Sequence, residues 1–331
     1  MRILRTIQAA LGLVAVLAVT MSVAPAQAQN WPTRPITFVI PFGAGSGTDL
    51  VARNIAAPLG EKLGQPVVVQ NMGGAAGLIG VSRVAKAAPD GYEMVMGAID
   101  TFAQSPTLRK HPPYDSIKDF EPVGLATVQP LILIARKDLP VSNMREFAAY
   151  VKANGSHMQF GSAGVGTANH LVCSELMHAM GANVTHVAYR GSAEAMTDML
   201  SGHLDFYCIL AIGAVPYIKA GTLKPIAVLT RDRSPALPDI PTAREQGFDL
   251  GDFYYWMGLF LPKGTPTPII TKLNAALSAT LDRQDLQERL RKVATTVAPP
   301  EHRSPEYLRG FLASEIKTWA AAIKENGIQP Q

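Results

Sequence analysis

The sequence predicts an α/β protein of two lobes, each a mostly parallel sheet flanked by helices. Short β-branched runs alternate with helical patterns from Ile36 onward, which is how parallel sheets read in sequence. The order strand, helix, strand, helix, strand then occurs a second time, as a repeat of topology and not of residues. At roughly 300 residues beyond its leader, the chain also exceeds a typical single core, so two domains are expected.

Residues 1–28 read as a cleaved secretory signal. Arg2 and Arg5 form a basic start, Ala9 to Val19 an apolar run, and Ala26-Gln27-Ala28 a small-x-small cleavage site. The apolar run has only about half the ~20 residues that span a bilayer, so a released, periplasmic product is expected. Strands follow at 36–41, 66–70 and 92–97, separated by helices at 48–63 and 78–87, with the Pro89-Asp90-Gly91 turn introducing the third strand. The second unit places strands at 158–161, 184–188 and 204–208, with helices at 167–179 and 192–200.

Between the units, residues 122–135 form a long apolar stretch without helical period, suited to leave one lobe and enter the other. Residues 253–261 are the return path. Lobe 1 therefore comprises 29–130 plus about 255–331, and lobe 2 about 131–254. Helices at 266–281 and 285–293 come next. A last helix opens on Ser304-Pro305, with Leu308, Leu312, Ile316, Trp319 and Ile323 making one apolar face.

Composition excludes some partners. Without Arg2 and Arg5 the chain has 28 basic and 26 acidic residues, a net charge of +2, and no basic run, so nucleic-acid binding has no support. No metal, no cofactor and a monomeric state are expected. The two cysteines, Cys173 and Cys208, form no CxxC motif. A disulfide between them requires Cα atoms within about 7 Å; the alternative is two buried small hydrophobes.

Two loops carry the chemistry. Pro41-Phe42-Gly43-Ala44-Gly45-Ser46-Gly47-Thr48-Asp49 follows a strand and opens a helix. Glycines there let backbone N–H groups approach a ligand, and the unsatisfied N–H groups of the helix start favour an anion. A dinucleotide fingerprint would need glycine where Thr48 stands, and a P-loop would need a Gly-Lys-Ser/Thr ending, so neither nucleotide reading fits. The second unit has Gly161-Ser162-Ala163-Gly164-Val165-Gly166-Thr167 in the equivalent place. Ligands of open α/β sheets bind beyond the carboxyl ends of strands, so both loops should line one cleft between the lobes.

With these loops the sequence resembles the Bug family, the substrate-binding receptors of tripartite tricarboxylate transporters. The resemblance also rests on Trp31-Pro32-Thr33-Arg34-Pro35-Ile36, Asn71 to Gly80, Pro113-Tyr114-Asp115, His186 to Gly191 and Pro262-Lys263-Gly264-Thr265-Pro266, and it covers nearly the whole chain after the leader. It implies a Venus-flytrap fold of the type II periplasmic binding class that closes on a small carboxylate and hands it to transporter subunits in the membrane. Carried over by position, it implies ligand contacts at Phe42, Ser46, Gly47, Thr48, Ser162, Val165, Gly166 and Thr167, with Asn71, Ala98, Thr101, His170 and Asp205 in second rank. Ile99-Asp100-Thr101 departs from the small or hydroxylated residues usual there. A cleft-facing Asp100 carboxylate would bias the ligand toward an amino acid or a nitrogen-bearing aromatic acid; a helix cap is the alternative.

Other classes fare less well. There is no Gly-x-Ser-x-Gly elbow or His-Glu-x-x-His motif, and the seven histidines show no ligand spacing, so an enzyme is not expected. A ligand-sensing protein that docks on a sensor domain is the alternative role. Trp256 is expected in the core, while Tyr254 and Tyr255 either pack the hinge or wall the cleft.

Overall fold

The computed structural model describes residues 30–249 and 251–325. The leader read at 1–28 lies outside the described residues. Strand β1 (Ile36–Ile40) pairs in parallel with β2 (Val67–Asn71) and β3 (Glu93–Ala98). Helix α1 (Gly47–Leu63) and helix α2 (Leu78–Ala85) make the connections. Helix α1 begins where Ser46 Oγ accepts the Asp49 N–H, and it stops at Gly64, whose φ of +74° lets its N–H close on Gly60 O. Its buried stripe of Val51, Ile55, Leu59 and Leu63 recurs every fourth residue, as a helix packed on a sheet requires.

Strand β4 (Phe120–Arg136) organises the rest. Over Phe120–Pro130 it pairs antiparallel with β9 (Tyr254–Pro262), which itself pairs with β3. From Leu131 it pairs with β7 (Phe206–Leu210), and from Ile132 with β8 (Leu223–Val228). One strand thus serves two sheets. Its 17 residues are buried almost throughout, which explains the aperiodic apolar run in the sequence: both faces are covered, so no alternation is needed.

The second sheet sets β5 (Gln159–Ser162) parallel between β6 (Thr185–Ala188) and β7. Around it lie α3 (Met144–Asn154), α4 (Ala168–Ala179), α5 (Ser192–Leu200) and α6 (Ala211–Lys219). Cys173 on α4 and Cys208 on β7 are joined by a disulfide, with Cα atoms 5.6 Å apart. Helices α7 (Thr267–Leu281), α8 (Gln284–Arg291) and α9 (Pro305–Glu325) return to the first sheet, and the two-residue β10 (Thr296–Val297) adds to β4. On α9, Leu308, Leu312 and Ile323 are buried, while Ile316 and Trp319 pack on the core only partly covered. No helix among the described residues is long and apolar enough to cross a membrane.

Four of these elements were not read from sequence: α3, α6, β8 and the two-residue β10. Helix α3 carried a local signal, since Asn143 Oδ1 accepts the Glu146 N–H and Glu146 Oε2 accepts the Ser142 N–H, a reciprocal cap. Helix α6 carried none: it follows β7 without a turn, is apolar nearly all round, and contains Gly213 and Pro216.

Candidate ligand-binding site

The first glycine-rich loop is held by a carboxylate within it. Asp49, 2% exposed, takes the Gly45 N–H at 2.8 Å, Arg53 Nε at 3.0 Å and Asn71 Nδ2 at 2.9 Å. Burial opposes its ionisation, but the hydrogen bonds from Arg53, Gly45 and Asn71 outweigh it and hold the carboxyl below its ordinary value. Asn71 also donates to Phe42 O at 3.0 Å and accepts from Arg53 Nη2 at 3.0 Å. Asn71 therefore spends its amide bracing the loop.

The second loop follows β5. Ser162 Oγ accepts the Gly164 N–H at 3.1 Å and shares a 2.7 Å hydrogen bond with His186 Nε2, while Thr167 Oγ1 donates to Gly164 O at 2.7 Å. Gly164 and Gly166 have φ of +125° and +87°, values that only glycine adopts readily. His170 Nδ1 accepts the Gly166 N–H at 3.3 Å, so His170 is a brace as well. Its ring lies 4.1 Å from that of His186, which stacks on Phe160 at 4.9 Å. Burial pushes both histidines down, His186 to about 4 with His170 beside it, so both are neutral at physiological pH. Val165 projects outward, 55% exposed.

A π-helical turn, Asp100–Gln104, follows β3. Thr101 Oγ1 is tied to Ala98, accepting its N–H at 3.1 Å and donating to its carbonyl. Asp100 does not open into the cleft as the sequence suggested. It is 2% exposed, and its Oδ1 accepts the Thr101 N–H at 2.8 Å and the Tyr255 hydroxyl at 2.9 Å. It is not an ordinary helix cap either, since its backbone donor is the very next residue. Burial pushes its carboxyl up to about 7 against those hydrogen bonds. Trp256 is fully buried, in the core as expected.

Asp205 is a second correction. It immediately precedes β7 and faces the start of β5, at the amino ends of these parallel strands, whereas both loops lie at carboxyl ends. Its carboxylate accepts Arg136 Nε at 3.0 Å and the Gln159 N–H at 2.7 Å. That ion pair closes the far end of the second sheet and is remote from the cleft.

The lobes meet across the cleft. Ser105 Oγ, just beyond the π-turn, donates to Gly166 O at 3.1 Å. A Cβ built on Gly47 would lie 2.7 Å from Leu210 Cδ1, and one on Gly45 would lie 3.6 Å from Ala193 Cβ. At the mouth is a cavity of about 640 Å³, with Gly43, Gly73 and Ala75 on one wall and Arg190, Gly191 and Glu194 on the other. Among the described residues no cluster of His, Cys, Asp or Glu is placed to hold a metal ion.

Sequence reading missed Gln104, Ser105 and Arg190, left Tyr255 between hinge and cleft, and gave Asp49 no role of its own in the first loop. Asp49 had a signal, three residues after the capping Ser46 and four before Arg53. The others sit apart from either loop in sequence and are brought there by folding.

Two sheets sharing one strand, with paired loops at carboxyl ends facing one another, define a two-lobed periplasmic-binding-protein fold. The chain resembles the periplasmic binding protein BugD with TM-score 0.88 and 38% identity, covering 91% of this chain and all of that one. It resembles MatC from Rhodopseudomonas palustris, solved with bound malate, with TM-score 0.85 and 38% identity, covering 88% of this chain and all of that one. BugT of Bordetella pertussis is 33% identical over 305 residues, 92% of this chain and 93% of that protein. Residues 51–328 match the model of the tripartite tricarboxylate transporter family receptor. The chain belongs to this family, the Bug receptors.

Proposed function

We propose that this chain is a periplasmic receptor that captures a small carboxylate between its lobes and delivers it to a tripartite tricarboxylate-type transporter. The observation that carries the reading is the meeting of the two glycine-rich loops across one cleft, with the second joined to the first lobe by the Ser105–Gly166 hydrogen bond. The lobes divide at 130/131 in β4 and near 254 in the return, so lobe 1 is 29–130 plus about 255–331 and lobe 2 about 131–254. The leader directs export and is removed.

Contacts to the carboxylate come from residues 46–48 and 162–167, chiefly through backbone N–H groups, because Ser46, Ser162 and Thr167 already spend their hydroxyls within the loops. An anion at a helix start gains about 0.3–1 kcal/mol, and each charge-assisted hydrogen bond adds about 1.5–3 kcal/mol. Micromolar affinity needs only about 8 kcal/mol net. Two helix entrances and a few hydrogen bonds reach that. The malate bound to MatC supports the carboxylate class.

Because the ligand touches both lobes, binding favours the closed arrangement. A thermal-shift screen of di- and tricarboxylates, amino acids and aromatic acids, followed by solution scattering, tests the reading. A carboxylate should raise the melting temperature and compact the protein. Stabilisation without compaction, or no carboxylate that stabilises, would contradict it.

A further inference from the structure

Another cavity, of about 110 Å³, shares no residue with either glycine-rich loop and lies where β4 passes between the sheets. Pro130, the last β4 residue paired with β9, lines it. One wall is the segment after β8, within residues 230–236, and the other is the end of α8 with the start of β10, within residues 291–296. The first wall belongs to lobe 2 and the second to lobe 1. Next to Arg291 the same two lobes touch, since Lys219 Nζ on α6 donates to the Lys292 carbonyl at 3.3 Å. Ser234 lines the cavity, is 4% exposed, and its hydroxyl has no hydrogen-bond partner. A buried hydroxyl without a partner is costly, so a ligand oxygen that accepts from it is favoured. Arg291 is exposed, and among the described residues its guanidinium makes no hydrogen bond or ion pair. Arg233 is held by Glu245 through Nε and by the Pro238 carbonyl through Nη1, which leaves Nη2 for a ligand. Asp232 lines the cavity too, and among the described residues no donor engages its carboxylate.

We infer that this cavity binds inorganic phosphate, which bridges the lobes at the hinge. Ser234 Oγ and Arg233 Nη2 donate to it from lobe 2, and Arg291 donates from lobe 1. The Asp232 carboxylate only accepts. It repels a fully ionised anion such as sulfate and takes a hydrogen bond from a phosphate P–OH. An anion held by both walls favours the arrangement in which they face each other, the one that also makes the Ser105–Gly166 contact. Phosphate at the hinge then tightens binding in the cleft, and the cleft ligand tightens phosphate by the same factor. The bridge rests on the division into lobes proposed above; the anion site itself does not.

The test is calorimetric titration of the mature protein with phosphate and, separately, sulfate at neutral pH and fixed ionic strength. Phosphate should bind about tenfold or more tightly than sulfate. Arg291→Ala and Ser234→Ala, one on each wall, should each weaken phosphate about tenfold, the loss of one charge-assisted hydrogen bond, and Arg291→Lys should keep part of the affinity. Asp232→Asn should bring phosphate and sulfate within about threefold of each other. Thermal unfolding of each variant confirms that it folds. No phosphate binding, sulfate bound as tightly as phosphate, or unchanged phosphate affinity in either alanine variant would overturn the site. In solution scattering, phosphate should compact the wild type and leave Arg291→Ala unchanged; phosphate bound without compaction would overturn the bridge. None of these measurements uses a carboxylate, so the receptor reading stands or falls separately on its own screen.

Discussion

The Tyr255 hydroxyl donates to Asp100 Oδ1 across 2.9 Å, tying the hinge strand β9 to the turn at the end of β3. The acceptor is a buried carboxylate with a pKa near 7, so protonation at this contact changes the stability of the whole fold. The folded state holds the Asp100 proton more tightly than the unfolded chain, whose carboxyl has the ordinary value of 3.8. The stability it contributes is fully present below that value and is lost as pH rises toward about 7. Asp100→Asn, which keeps both hydrogen bonds to Oδ1, should match the wild type near pH 4 and exceed it by a few kcal/mol at about pH 8. Urea unfolding at the two pH values measures this. An equal offset at both would mean that Asp100 does not titrate in this range.

Gly47 sits where α1 meets the second lobe. Gly47→Ala places a methyl 2.7 Å from Leu210 Cδ1, in a contact that exists only with the lobes together. Overpacking of this kind costs about 1–3 kcal/mol, so carboxylate affinity should fall roughly 5- to 100-fold while the ligand-free unfolding midpoint stays within about 0.5 kcal/mol. Titration calorimetry beside thermal unfolding separates the two. Unchanged affinity would place the closing contact elsewhere.

The disulfide closes a loop of 35 residues between Cys173 and Cys208. Replacing both cysteines by alanine should lower stability by about 3–4 kcal/mol. Reduction of the wild type with a thiol should reproduce that loss in urea unfolding. A double variant as stable as the oxidised protein would refute it.

Gln104 is fully buried, and neither atom of its amide has a hydrogen-bond partner. Such a group costs about 1–3 kcal/mol, so Gln104→Met, close in volume and free of polar atoms, should raise ligand-free stability by about 1 kcal/mol. Chemical denaturation reads the change directly. A loss instead of a gain would show that the amide is hydrogen-bonded in solution.

Much of the fold was legible. The first five elements and their counterparts in the second unit lie within two residues of the positions expected, because period and turn residues are local properties. Helix α6 was not, since an apolar segment with no polar face offers no period to read. At the site, the two loops could be found from glycine spacing, but the roles of Asn71, Asp100, His170 and Asp205 could not. Three are set by a partner distant in sequence, Phe42 for Asn71, Tyr255 for Asp100 and Arg136 for Asp205, while His170 braces the nearby Gly166 N–H with its ring packed beside that of His186.

The sequence by itself determined the two helix entrances at Ser46 and Thr167, because a capping residue, positive-φ glycines and an apolar stripe act over one or two turns. Only the tertiary structure decided what surrounds them. Tyr255 reaches Asp100 over 155 residues of chain, and Arg190 comes to face Gly43, because β4 passes from one sheet into the other and carries the second lobe with it. That crossing depends on which strands pair, a long-range choice made by burial of both sheets at once and not by any single stretch of residues.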